Sequence, residues 1–286
     1  MNTNGNITGL ALEGGAMRGL FTAGILDVLM ENGITFDKAA GVSAGAAFGC
    51  NYKSHQAGRA LRYNKKYADC WRYKSWRSLF LTGDLYGADF CYHKLPDELD
   101  IFEKETFAQD PMEFYAVATD VVSGKPVYHL LTDGGDEDLE WIRASASMPL
   151  ASRIVDINGQ LLLDGGITDS IPLEFLEKKG CTKTLVILTQ PLSYTKQQYK
   201  AFKGISAALH KYPELVEALR GRPAMYNAQT AYVKVREDEG TAFVLRPPHA
   251  LNIKPLEKDP AEIDRVYNTG RTLALEKLPQ IIDFLK

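Results

Sequence analysis

The sequence predicts an α/β protein of three layers, α/β/α, with a mainly parallel central sheet. Two stretches carry that prediction. Residues 8–45 read as strand, glycine-rich loop, helix, strand, sharp turn and helix, and a helix joining neighbouring strands implies a parallel pair with a right-handed crossover. Residues 184–189 are a continuous apolar run, the pattern of a strand buried on both faces in the middle of such a sheet. We divide the chain into residues 1–192, which hold all the recognisable chemistry, and residues 193–286, a mostly helical extension. That extension either packs on the first unit as one body or forms a small accessory lobe.

The elements follow in order. Thr8 to Leu12 is a short apolar strand, and Leu20 to Met30 a helix that stops at Gly33, a natural C-cap. Ala39 to Val42 is the second strand. Residues 59–80 are dense in Arg, Lys, Tyr and Trp. They read either as an interfacial surface in peripheral contact with a membrane, or as helices with aromatics in the core and charges in water. Residues 83–112, with Gly83, Gly87, Pro96 and Pro111, read as irregular. Tyr115 to Thr119 and Val127 to Leu131 form two strands around a turn at Ser123-Gly124-Lys125, and Asp138 to Met148 a helix ended by Pro149.

Ile154 to Ile157 and Leu161 to Leu163 flank Asn158-Gly159, a strong hairpin signal. Pro172 opens a helix that runs to Gly180. Residues 197–236 read as helices broken at Pro213 and Pro223, and Ala242 to Leu245 as a strand. Asp259-Pro260-Ala261-Glu262 opens a last helix carrying Ile263, Val266 and Tyr267.

Composition narrows the function. With 45% hydrophobic and 24% charged residues the chain is an ordinary globular protein, and a formal net charge of −3 gives no general pull toward nucleic acid. Cys50, Cys70, Cys91 and Cys181 show neither metal-ligand spacing nor dense pairing, which favours a reducing compartment. The N-terminus, Met1 to Asn6, is polar and lacks the layout of a signal peptide. No apolar run approaches the roughly 18 residues of a spanning helix. The expectation is a cytoplasmic protein whose membrane contact, if it has any, is peripheral.

Chemistry concentrates in three short motifs. Gly41-Val42-Ser43-Ala44-Gly45 is a GxSxG pentapeptide, which exposes a serine hydroxyl on a strand-to-helix turn, so Ser43 is the candidate nucleophile. Gly14-Gly15-Ala16-Met17-Arg18-Gly19 lies between the first strand and first helix, where backbone N–H groups can converge on an anion, giving a candidate oxyanion hole at Gly14, Gly15 and Ala16. Leu161-Leu162-Leu163-Asp164-Gly165-Gly166 delivers a carboxylate to the end of a strand, so Asp164 is the candidate base.

In chain order, glycine-rich loop, then GxSxG, then the Asp-Gly pair, the three motifs resemble the patatin-like phospholipases, with Ala118-Thr119-Asp120 and Ala144 to Pro149 adding to the likeness over residues 7–190. The resemblance implies a serine–aspartate dyad that hydrolyses acyl esters of phospholipids or lysophospholipids with no catalytic histidine, cofactor or metal. One departure is Ala16, where the family's loop has a third glycine. If the position needs positive φ, alanine costs about 1–2 kcal/mol there; otherwise its φ is negative or the loop is altered. Arg18 is expected to anchor the loop rather than meet substrate.

Two alternatives stay open. One is a Ser-Asp-His esterase of the α/β-hydrolase type, for which His249, in a loop beyond Asp164, is the candidate and His210 a lesser one. Against it, only one strand and the glycine loop precede Ser43. The other is a non-catalytic domain binding a nucleotide phosphate, although neither GxGxxG nor GxxxxGK[ST] spacing is present.

Overall fold

The computed structural model describes residues 5–198 and 200–286; residues 1–4 of the polar N-terminus and Tyr199, in the stretch read as helical, lie outside the described residues. The strands are β1 (Thr8–Leu12), β2 (Lys38–Val42), β3 (Glu113–Asp120), β4 (Pro126–Leu131), β5 (Val155–Ile157), β6 (Gln160–Asp164), β7 (Lys183–Ile187) and β8 (Ala242–Leu245). They form one sheet in the order β5-β6-β3-β2-β1-β7-β8, with β4 also paired to β3. The pairs from β3 through β2, β1 and β7 to β8 are parallel, while β4 and β6 run antiparallel to β3. The sheet is therefore mixed, with a parallel centre.

The helices are α1 (Gly19–Glu31), α2 (Ala44–Lys53), α3 (Arg59–Lys66), α4 (Trp76–Thr82), α5 (Lys104–Gln109), α6 (Asp136–Ser145), α7 (Leu173–Lys178), α8 (Phe202–Ala208), α9 (Pro213–Asp238) and α10 (Pro260–Leu285). Side chains alternate across each central strand. Leu10 and Leu12 of β1, with Leu185 and Ile187 of β7, join the core beneath α1, α2 and α10. Ala11 and Val186 face the opposite core, which is closed by α7 and by Tyr226 and Val233 of α9. These are the two helical layers that parallel strands require.

The hairpin at Asn158-Gly159 forms as expected, with both residues at positive φ, 54° and 85°. Two readings need correction. Residues 83–112 are not irregular throughout, because Phe90–Leu99 forms a wide π-type helix around Pro96 and α5 follows it. Nor does Pro223 break the helix beyond Pro213. Helix α9 runs from Pro213 to Asp238 with Pro223 inside it. A proline costs an interior helix roughly 3 kcal/mol, but α9 buries Leu215, Val216 and Leu219 before it and Tyr226 and Val233 after it. At about 1.5–3 kcal/mol for each buried large side chain, packing outweighs the break.

The C-terminal stretch joins the same sheet and layers. Strand β8 continues the parallel ladder beside β7. Helix α10 lies along α1, with Ile263, Val266 and Tyr267 buried and the Tyr267 hydroxyl bonded to the buried Asp27 carboxylate. Asp259 caps α10 by accepting the Ala261 N–H at 2.9 Å. Among the described residues no helix is long and apolar enough to cross a membrane.

Candidate active site

Ser43 sits between the end of β2 and the start of α2, at φ 56° and ψ −120°. A non-glycine residue held there costs on the order of 1–3 kcal/mol, so its neighbours must fix it. The Ser43 N–H donates to Ser145 Oγ at 2.9 Å, and the Ser43 carbonyl accepts from Ala46 and Ala47, each at 3.0 Å. Close approach of the backbone does the rest. A Cβ on Gly45 would stand 2.4 Å from the Leu12 carbonyl oxygen, and one on Gly14 would stand 2.8 Å from Ser43 Cβ. Only glycine lets the elbow and the loop after β1 touch in this way. Gly41, one residue before the end of β2, and Gly19, the first residue of α1, complete the two motifs at this junction.

The loop from Gly14 to Arg18 is shaped to leave donors free. Glu13 N–H makes a last sheet bond to the Ile187 carbonyl at 3.1 Å. After it, the N–H groups of Gly14, Gly15 and Ala16 donate to no other described residue. Thr189 Oγ1 holds the Gly14 carbonyl at 3.0 Å, and Arg18 N–H closes back onto the Gly15 carbonyl at 3.0 Å. Ala16 has φ 47°, so this position does require the left-handed region and alanine bears the strain. Arg18 is half-buried, and its Nε finds no acceptor among the described residues.

Asp164 ends β6 and turns into Gly165 and Gly166. Its Oδ1 accepts the Gly166 N–H at 2.7 Å, its own N–H donates to the Ser147 carbonyl at 2.8 Å, and its carbonyl accepts from Thr119 Oγ1 at 2.9 Å. Ser145 and Ser147, at the end of α6, thus hold Ser43 and Asp164 from one short segment. Burial pushes the Asp164 carboxyl above the ordinary carboxylate range, against the opposing pull of nearby Arg222, Ser43, the Gly166 N–H and Lys196. No histidine is among these groups. His249 is exposed, and His210 is exposed with Nδ1 near the Ala207 carbonyl. His55 pairs with Asp110, His93 with Glu140 and His129 with Asp138.

Beside Ser43 opens a cavity of about 880 Å³, part of it continuous with solvent. Ala16, Met17, Phe48, Tyr63, Tyr73 and Met148 are among its walls. Its lining is mostly apolar. The dense basic-aromatic stretch therefore divides. Tyr63 and Tyr73 are cavity wall, and Arg59 is buried with its guanidinium bonded to the Asp100 carbonyl and Asn51 Oδ1. Trp76, Phe80 and Leu81 of α4 are instead exposed by 72%, 89% and 54%.

Sequence reading missed the second ring of the site. Buried Glu13 accepts from Thr189 N–H at 2.5 Å and from the Tyr226 hydroxyl at 2.7 Å, and Arg222 Nε donates to the Gly166 carbonyl at 2.5 Å. Glu13 could have been flagged as an acid wedged between an apolar strand and a glycine pair. Arg222 and Tyr226 had no local signal, since they reach the site only because α9 packs on this face.

Comparison with known proteins bears on the same residues. Residues 10–176 match the model of the patatin-like phospholipase family, and residues 212–286 match a domain of unknown function, DUF6363. The chain is 29% identical over 275 residues to the uncharacterized protein YjjU of Escherichia coli, covering 92% of this chain and 74% of that one. It is 24% identical over 292 residues to lysophospholipase nte1 of Aspergillus terreus, covering 97% of this chain but only 18% of that protein's length. Among solved structures, VipD from Legionella pneumophila aligns with a TM-score of 0.48 at 12% identity, over 96% of this chain and 67% of that one.

Two predictions follow from the geometry. A carboxylate whose pKa is raised by folding favours the fold below its ordinary pKa and loses that contribution as pH rises through the raised value. Asp164→Asn should therefore raise Tm at neutral pH, with the gain vanishing in acid below the ordinary carboxylate pKa; thermal melts across pH check this. Ala16→Gly should stabilise the protein by about 1 kcal/mol by relieving positive φ, measured by urea unfolding.

Proposed function

Because this chain belongs to the patatin-like phospholipase family, we propose that it hydrolyses acyl esters of lipids, phospholipid or lysophospholipid, through an acyl-enzyme on Ser43. The observation that carries this reading is that Ser43 lines an apolar cavity with the buried Asp164 carboxyl close by, next to a loop whose Gly14, Gly15 and Ala16 N–H groups donate to no other described residue. Ser43 Oγ attacks the ester carbonyl carbon as its proton passes to the Asp164 carboxylate. The tetrahedral oxyanion is received by the N–H groups of Gly14, Gly15 and Ala16, with the N-terminus of α2 adding partial positive charge. Collapse breaks the ester bond, and Asp164 returns its proton to the departing alkoxide oxygen. Water, deprotonated by Asp164, then releases the fatty acid.

Burial supports the assignment of Asp164. An ordinary aspartate is too weak a base for a serine hydroxyl, and a desolvated one comes closer to matching it. Gly19, Gly41, Gly45, Gly165 and Gly166 serve as support, letting the nucleophile, the loop and the base approach one another. The alternative triad is disfavoured by the position of His249, which is exposed in the loop after β8. Purified protein should hydrolyse p-nitrophenyl esters and lysophospholipids, and Ser43→Ala should lose at least about 10³-fold in turnover, in line with loss of a nucleophile. An inactive wild type, or an active Ser43→Ala, would refute the assignment.

Peripheral membrane contact belongs to the same proposal, now confined to α4. Its flanks are pinned by Ser75 N–H to the Leu85 carbonyl at 2.9 Å and Gly87 N–H to the Tyr73 carbonyl at 3.1 Å, and Tyr73 and Tyr86 on those flanks line the cavity. Trp76, Phe80 and Leu81 thus project from the rim of the cavity, beside Arg77 and Arg72, whose guanidinium groups lie 4.5 and 5.6 Å from the Trp71 ring. Large apolar side chains fringed by cations fit an anionic lipid surface. Trp76→Ser with Phe80→Ser should abolish co-sedimentation with anionic vesicles while hydrolysis of a soluble p-nitrophenyl ester stays within about threefold, since neither side chain lines the cavity.

A further inference from the structure

The apolar cavity lies in the core beneath α1 and α2, whereas a different environment meets Asp164 from the face of the sheet covered by α9. Three half-buried cations gather there from three segments: Arg18 from the glycine loop, Lys196 from the stretch after β7, and Arg222 from α9. Each is fixed. Lys196 is clamped to α9 by its N–H to Asn227 Oδ1 at 2.9 Å and by Asn227 Nδ2 to its carbonyl at 3.1 Å, and its Nζ lies 4.3 Å from the Tyr226 ring centre. Arg222 is held on the Gly166 carbonyl, one turn of α9 before Tyr226. Arg18 follows directly on the oxyanion loop.

Among the groups that act most strongly on Lys196 and Arg222, the acids are Glu13 and Asp164. Glu13 is committed, with one oxygen on the Tyr226 hydroxyl and the other on Thr189 N–H. Lys196 makes no close ion pair with any described residue and lies over the Tyr226 and Tyr194 rings, and Arg18 Nε is buried with no acceptor among the described residues. Burial, with Arg222 beside it, brings the Lys196 amine down to about 8. Gathering cations in this way is costly unless an anion joins them.

We propose that Arg18, Lys196 and Arg222 form a subsite for a phosphate-ester anion, across the Ser43–Asp164 pair from the acyl cavity. The inference rests on the hydrolase reading above and adds how the substrate is recognised. The ester carbonyl lies at Ser43, the acyl chain runs into the apolar cavity, and the phosphate of the head group lies against two guanidinium forks and one ammonium. Lys196 and Arg222 come from beyond the segment that matches the phospholipase family model, so the C-terminal stretch supplies head-group selection.

The test compares lysophosphatidylglycerol with a monoacylglycerol carrying the same palmitoyl chain, in wild type, Lys196→Met and Lys196→Arg. Methionine keeps the apolar contact with Tyr226 and removes the charge. Lys196→Met should lose about tenfold in kcat/KM on the phosphate ester, the equivalent of 1.4 kcal/mol, with the neutral ester within about threefold, and Lys196→Arg should recover most of the loss. Glycerophosphoglycerol should inhibit wild type competitively and more strongly than inorganic phosphate; the reverse order, with inhibition still lost in Lys196→Met, would assign the subsite to a free phosphate. Equal loss on both esters would make Lys196 a support for Asp164 and overturn the proposal, as would inhibition by neither anion. If wild type cleaves neither ester yet glycerophosphoglycerol raises its Tm and not that of Lys196→Met, the subsite stands and the hydrolase reading fails.

Discussion

Ser43 is held in a backbone conformation it would not keep alone, and much of the fold serves to hold it. The elbow survives because β1 and β2 are adjacent parallel strands, so that the loop after one meets the turn after the other. Gly45 lies against the Leu12 carbonyl and Gly14 against Ser43 itself. From the other side α6 supplies Ser145 Oγ to the Ser43 N–H. The same end of α6 accepts the Asp164 N–H through Ser147. Ser43 and Asp164 are thereby referenced to one short segment rather than to two independent loops, as the proposed serine–aspartate dyad requires.

Asp164 shows the tension between stability and chemistry. Burial raises its pKa and so penalises its ionised form, yet basicity is what the proposed proton transfer needs. Arg222, Lys196 and the Gly166 N–H oppose the penalty without cancelling it. Two of those three come from the C-terminal stretch, which flanks the acid. Strand β8 and helices α9 and α10 are tied into the same sheet and the same two cores as the strands that carry the motifs.

Most of what local pattern can encode was legible in advance. The glycine loop, the elbow and the Asp164 turn are short motifs whose chemistry depends on residues a few positions apart, and the parallel arrangement follows from one strand–helix–strand unit. The Asn158-Gly159 hairpin was readable for the same reason. What escaped were features set by distant packing. Pro223 sits inside a continuous helix because buried side chains on both sides outweigh the lost bond, a balance no window of sequence displays. The segment around Pro96 is helical for a similar reason, burying Phe90 and Leu95 against the cavity core. Residues 59–80 read either as an interfacial surface or as helices with core aromatics, and they divide between the two, since Tyr63 and Tyr73 turn inward while Trp76 and Phe80 turn outward. Lys196 and Arg222 carry no motif at all.

The central claim is that buried Asp164 alone, without histidine, activates Ser43. The rate at which a fluorophosphonate labels Ser43, followed against pH, tests it most directly. The account predicts a single ionisation above the ordinary carboxylate range, with labelling lost in Asp164→Asn and unchanged in His249→Ala and His210→Ala. Labelling that persists in Asp164→Asn, or that disappears in a folded His249→Ala protein, would contradict it.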